Sequence, residues 1–171
     1  TYHRRFEPDM VFRQKMWQTL CREYFQQYIP LTSRVMEIGA GYCEFINNIQ
    51  AAEKLAVDLN PDTIRYADPQ VRVILSNTTD LSSIPDQYID IAFASNFFEH
   101  LERADIVSTI RETRRVLRSA GKFIILQPNI RFSYRDYWMF FDHITPIDDR
   151  GLAEALEVNG FTVVKTIARF L

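Results

Sequence analysis

Apolar side chains recur at helical spacing from residue 10 to residue 29: Met10, Val11, Phe12, Met16, Trp17, Leu20, Cys21, Tyr24, Phe25 and Tyr28. Positions three and four apart share one face of an α-helix, so the pattern predicts an amphipathic helix that ends before Pro30. Beyond it, short apolar runs alternate with helical stretches. Arg34 to Ile38, Lys54 to Asp58 and Val71 to Leu75 read as strands. Tyr88 to Ser95 is apolar on both faces, which predicts a central strand. Phe45 to Ala52 reads as a helix. Asn60-Pro61-Asp62 reads as a helix start, with an N-cap, a proline in the first turn and an acid beside it. A helix over Arg103 to Arg118 should stop at Ser119-Ala120-Gly121, and a fifth strand should follow from Lys122 to Gln127. Asp148 to Asn159 completes the helices, and Phe161 to Ala168 is expected as a sixth strand.

Strands that alternate with helices predict an α/β fold: a doubly wound, mostly parallel sheet with helices on both faces. Residues 1–33 form an N-terminal helical segment, a candidate substrate cap, and 34–171 form the main domain. The length of 171 residues can bury a substantial core. With 20 basic and 22 acidic side chains, the net charge of -2 offers no basic surface for nucleic acid. Cys21 and Cys43 are too few for a disulfide framework and fit a reducing compartment. No apolar run approaches a membrane span, and residues 1–9 lack an apolar signal core. The expectation is a cytoplasmic protein with neither a membrane span nor a nucleic-acid partner. Thr1 is not a natural start, so further residues are expected before it. The oligomeric state is not legible.

In a doubly wound sheet, ligands bind beyond the carboxyl ends of the strands, where strand order reverses. The first strand ends in Glu37-Ile38-Gly39-Ala40-Gly41, where two glycines permit a tight turn and close approach to a ligand. The second ends in Asp58, an acid placed to accept both hydroxyls of a ribose. A nucleoside-containing cofactor follows. A dinucleotide site wants a small residue at the third position of the turn, so that a helix N-terminus can face a pyrophosphate. Here that position is Glu44, bulky and anionic, which suits a cationic cofactor without phosphate. S-adenosylmethionine, with a sulfonium and an amino group, meets that description.

These runs resemble the class I S-adenosylmethionine-dependent methyltransferases, in the branch that acts mostly on small molecules. Val35 to Gly41 matches the glycine motif, and Ala56-Val57-Asp58-Leu59-Asn60-Pro61 matches the ribose-binding motif. Tyr88 to Leu101 resembles the fourth strand and its loop, and Arg115 to Lys122 is similar to the run before strand five. The resemblance implies a Rossmann-like sheet whose cofactor is S-adenosyl-L-methionine. It implies that Glu37, Gly39, Ala40 and Gly41 line the methionine part, that Asp58 binds the ribose and that Leu59 packs on adenine. Asn77 and Thr78 stand where the family has an acid for the adenine amino group, and Ser95, Asn96 and Phe97 close over the cofactor. The family fold ends in a hairpin whose last strand inserts beside strand five. This chain stops at Leu171, so a sheet without that strand is expected.

His100 and His143 are the candidate catalytic bases, since imidazole titrates near neutral pH. The alternative for each is a structural role. Phe132, Tyr134, Tyr137 and Trp138 read as an aromatic wall for an acceptor or as a lid packed on the core. No metal site is expected: His3, His100 and His143 are scattered, and the cysteines lack a paired spacing. The leading reading is methyl transfer to a small-molecule acceptor, an oxygen of a lipid, quinone or sugar intermediate. The rivals are a nicotinamide-dependent oxidoreductase and a non-catalytic S-adenosylmethionine-binding domain.

Overall fold

The structure is a computed structural model that describes residues 10–170. The first nine residues of the predicted N-terminal segment, His3 included, lie outside the described residues.

Helix α1 (Met10–Leu20) runs into a wider turn over Cys21–Phe25 and a tighter one over Gln26–Tyr28. Strands β1 (Arg34–Ile38), β2 (Glu53–Asp58), β3 (Val71–Leu75), β4 (Ile89–Ser95) and β5 (Leu117–Leu126) form one parallel sheet in the order β3-β2-β1-β4-β5. Between them run α2 (Glu44–Asn48), α3 (Thr63–Tyr66) and α4 (Arg103–Val116); α5 (Ile130–Ser133) and α6 (Asp149–Val158) follow β5. The chain builds outward from β1 to β3, crosses back, and continues with β4 on the other side of β1. The reversal therefore lies between β1 and β4, whose carboxyl ends point to one side.

The strand alternation sorts the core into two layers. Val35, Ala56, Ile91 and Phe93 face α1 and α2, where they meet Trp17, Cys21, Phe25 and Phe45. Phe45 stacks on Phe93 with ring centroids 3.6 Å apart. Met36, Ile38, Leu55, Val57, Ala92 and Ala94 face α4, which presents Ile106, Ile110 and Val116. Asp148 caps α6 by accepting from the backbone N–H groups of Arg150 and Gly151. No helix among the described residues is long and apolar enough to cross a membrane.

Four expectations change. The helix expected over Phe45 to Ala52 closes at Asn48, and the helix expected to start at Asn60 begins at Thr63 with Asp62 at its N-cap position. Helix α4 ends at Val116, because Leu117 already pairs with Ile89. The ladder then skips from Ile89–Leu117 to Ile91–Lys122, and Ala120, at φ 62°, carries the extra residues out of register. The sixth strand over Phe161 to Ala168 does not form: that stretch has no ladder partner. Within it Phe161 docks through its side chain, while Val164 and Ile167 are exposed. Phe161 packs on Phe123, and Phe170 packs on Tyr24 and Phe25, which leaves a groove along the second edge of β5. A ladder needs strands about 4.8 Å apart. Of the predicted cofactor and catalytic residues the groove is lined only by Asn96, and by none of Gly39, Asp58, His100 or His143, so it is the space beside an open sheet edge.

Candidate functional site

The turn after β1 forms as its glycines require. Gly39 and Gly41 adopt φ of 64° and 48°, a region that L side chains rarely enter. The Gly39 and Ala40 N–H groups donate to the carbonyl of Val57. The Gly41 N–H donates to Asp58 Oδ2 at 2.7 Å, and the Asn60 N–H donates to Asp58 Oδ1 at 2.8 Å. Asp58 thus binds the glycine turn to the end of β2. A carboxylate offers about four lone-pair directions, so two remain for other donors. Leu59, the next residue, is 67% exposed. A Cβ built on Gly39 would lie 2.2 Å from the Phe97 ring, so that ring already closes on the turn. Ser95 and Asn96 lie beside it, and the Asn96 side-chain amide donates to the Ser95 hydroxyl.

Glu37 sits behind the turn. It is buried, and Oε2 accepts from the Ile46 N–H at 3.0 Å, which anchors the first turn of α2. Burial pushes its carboxyl well above the ordinary range; the Ile46 hydrogen bond opposes this, and the charges of Glu44 and Asp58 add to it. Glu44 opens α2 and is held by Arg13 of α1, whose Nε reaches it at 3.1 Å. That ion pair offsets the charge that was to favour a cationic ligand. What survives of the argument is size: the helix start carries a glutamate where a pyrophosphate needs a small residue.

Thr78 is placed differently from expectation. Its hydroxyl is buried against the Thr109 hydroxyl of α4 at 2.8 Å, on the helix side of the sheet. Asn77 is exposed, and its Oδ1 accepts from the Thr79 N–H, closing its own turn.

His100 and His143 come together once the chain folds. Glu99 and His100 lie in a short 3₁₀ turn, Phe98–His100, directly after Phe97. The Ile144 and Thr145 N–H groups donate to the Glu99 carbonyl at 2.9 and 3.1 Å, which draws the 142–145 loop onto this turn. The His100 and His143 ring centroids are 5.0 Å apart. Glu99 Oε1 lies 3.8 Å from His100 Nε2 and 4.0 Å from His143 Nε2, and Glu99 Oε2 accepts from Gln127 at 2.6 Å. Burial raises the Glu99 carboxyl, opposed by the Gln127 hydrogen bond and then by His100. Glu99 and Gln127 were not singled out from the sequence. Glu99 stood in view beside His100, but its burial is a tertiary fact. Of the aromatic group, Tyr137 is core: it donates to the Thr145 carbonyl and packs against His143. Phe132, Tyr134 and Trp138 are exposed.

The chain matches a family model described as a methyltransferase domain over residues 36–125. Among curated proteins there is no match. An S-adenosylmethionine-dependent methyltransferase from Archaeoglobus fulgidus is 26% identical, with a TM-score of 0.80 over 96% of this chain and 76% of that one. A Thermotoga maritima structure described as such an enzyme, a possible histamine N-methyltransferase, is 17% identical, with a TM-score of 0.74 over 95% and 76%. A TehB-like S-adenosylmethionine-dependent methyltransferase from Corynebacterium glutamicum is 18% identical, with a TM-score of 0.65 over 85% and 79%. The last two carry the fold alone. The family match covers the glycine turn, Asp58 and the Phe97–His100 run, and it sets aside the nicotinamide reading. The chain belongs to the methyltransferase domain family and is an enzyme that uses S-adenosylmethionine.

Proposed function

We propose that this enzyme methylates an oxygen of a small-molecule acceptor: a lipid, a quinone or a sugar intermediate. The observation that carries the reading is the gathering of Glu99, His100 and His143 immediately after Phe97, whose ring rests on Gly39. An acid–base cluster thus adjoins the cofactor turn.

S-adenosylmethionine, when bound, supplies a methyl carbon already activated by a sulfonium leaving group. Asp58 accepts the ribose hydroxyls with its two remaining lone pairs, and exposed Leu59 offers an apolar face to adenine. Gly39, Ala40 and Gly41 bring backbone close to the methionine part, with Glu37 holding the turn from behind. Ser95, Asn96 and Phe97 close the site and exclude water. Asn77 contributes through its exposed turn. A hydroxyl acceptor must lose a proton before or during attack, and His143 takes it, with His100 and the Glu99 carboxyl stabilising the imidazolium. The first turn of α1 exposes Val11 and Phe12 and serves as a cap over the acceptor, while Trp17 and Cys21 tie the helix to the core. Two free, buried cysteines fit the reducing cytoplasm.

His143→Ala is expected to lower turnover on a hydroxylated acceptor at least about tenfold and to leave S-adenosylhomocysteine affinity within about twofold. Equal loss of both, or loss of neither, in calorimetry and steady-state kinetics counts against the assignment.

A further inference from the structure

We propose that Glu99, His100 and His143 form a binding site for a divalent first-row transition ion, zinc by preference. One ligand atom from each lies within 4.8 Å of the others. Four-coordinate zinc with bonds of about 2.0–2.2 Å places its ligand atoms about 3.3–3.6 Å apart. The carboxylate-to-imidazole separations of 3.8 and 4.0 Å are a few tenths of an ångström wider, which small side-chain rotations close.

The same separations argue against a direct network. A hydrogen bond between imidazole and carboxylate brings the heavy atoms to about 2.7–2.9 Å. Neither pair approaches that, although all three groups face one another. Groups held just beyond hydrogen-bond range around a shared centre have the spacing that a bridging ion needs.

The surroundings orient the ligands. His100 Nδ1 lies 3.0 Å from the Asp142 carbonyl, which accepts its N–H and leaves the Nε2 lone pair toward Glu99. Gln127 occupies the other Glu99 oxygen. Tyr137 and Phe140 pack on the His143 ring at 4.7 and 4.9 Å and fix its plane. The two backbone bonds to the Glu99 carbonyl set the loop that carries His143. These contacts belong to the fold, so the ligands are arranged before any ion arrives.

Two imidazoles and one carboxylate select zinc, cobalt, manganese or iron over magnesium and calcium, which prefer all-oxygen ligands. Three protein ligands leave coordination positions for water or an acceptor oxygen. His100 is the accessible side, with its side chain 30% exposed. The site itself does not depend on what is methylated. Only its use does: it rests on the oxygen-acceptor reading, in which a bound ion would acidify the acceptor hydroxyl while His143 serves as its ligand, the base role of His143 being that of the ion-free protein.

The test is titration of the whole metal-free chain with Co²⁺, followed by visible absorption, and with Zn²⁺, followed by thermal unfolding. One equivalent should bind, with the spectrum of nitrogen and oxygen ligands. His100→Ala, a change at a part-exposed ring, should weaken Co²⁺ binding about tenfold or more and abolish the Zn²⁺-induced rise in melting temperature. Glu99→Gln should do the same, and His3→Ala should change neither. The proposal is overturned by an absence of saturable binding at one equivalent. It is also overturned by binding that survives His100→Ala, binding lost in His3→Ala, or a thiolate charge-transfer band from Cys21 or Cys43. Ion binding without oxygen methylation would sink the acceptor reading alone. Oxygen methylation that persists in metal-free protein with no Co²⁺ binding would sink the ion site alone.

Discussion

The two halves of the site are built in opposite ways. The cofactor half is short-range: one turn, one strand end, and a carboxylate 17 residues away that hydrogen-bonds the turn's own backbone. The half proposed for the acceptor is long-range: Glu99 and His143 are 44 residues apart in sequence, and backbone bonds from Ile144 and Thr145 join them. Backbone conformation constrains the first half, and side-chain burial constrains the second. A backbone constraint shows in residue type, because only glycine turns cheaply through positive φ. Burial of a glutamate does not show in its letter.

The sharpest way to break this contrast is at Gly39. Gly39→Ala combines left-handed strain of about 1–2 kcal/mol with a clash against Phe97 of about 1–3 kcal/mol. Urea denaturation should show a loss of about 2–5 kcal/mol. Phe97→Ala in the same chain should recover the clash but not the strain, and strict additivity of the two changes would mean that the ring does not rest on the turn.

Asp58→Ala comes next. It removes the acceptor of two loop N–H bonds as well as the ribose partner, and S-adenosylmethionine affinity should fall by about 2–3 kcal/mol. Unchanged affinity in a titration of the folded variant would reject the ribose assignment.

A smaller effect is expected at Thr78. Thr78→Val strands the Thr109 hydroxyl and should destabilise by about 1 kcal/mol, with S-adenosylhomocysteine affinity unaltered. A fall in affinity would return Thr78 to the cofactor site.

The last effect depends on pH. Because burial raises the Glu37 carboxyl, the folded chain holds that proton more tightly than the unfolded chain does. The resulting stability is fully present below about pH 4.5 and is lost as pH rises through the folded-state value. Glu37→Gln keeps an acceptor for the Ile46 N–H and lacks the titration. Its stability relative to the parent should therefore improve as pH rises above about 4.5, and a constant difference would show that Glu37 titrates alike in the folded and unfolded chains.

How much of this was legible differs by element. Strand β4 ran within one residue of the predicted Tyr88–Ser95, because a strand buried on both faces is an unbroken apolar run. The glycine turn was legible because positive φ restricts residue choice, and Asp58 because a carboxylate at a strand end stands out in residue type. The sixth strand was misread: Phe161 docks on Phe123, Val164 and Ile167 stay exposed, and no backbone pairing forms, which residue type alone does not show. The Thr78 hydroxyl turns to Thr109 of α4, which was not legible because position after a strand does not say to which side of the sheet a side chain turns. Glu44 looked like a free charge until α1 supplied Arg13 from 31 residues upstream.

By itself, the sequence determined the parallel α/β sheet and the cofactor turn. Hydrophobic periodicity and glycine conformation are local properties, written in neighbouring residues. Only the tertiary structure decided that two distant histidines and a buried glutamate share one site. That outcome follows from how the 142–145 loop returns to the end of β4, and the long-range hydrogen bonds that hold it there leave no periodic trace in the chain.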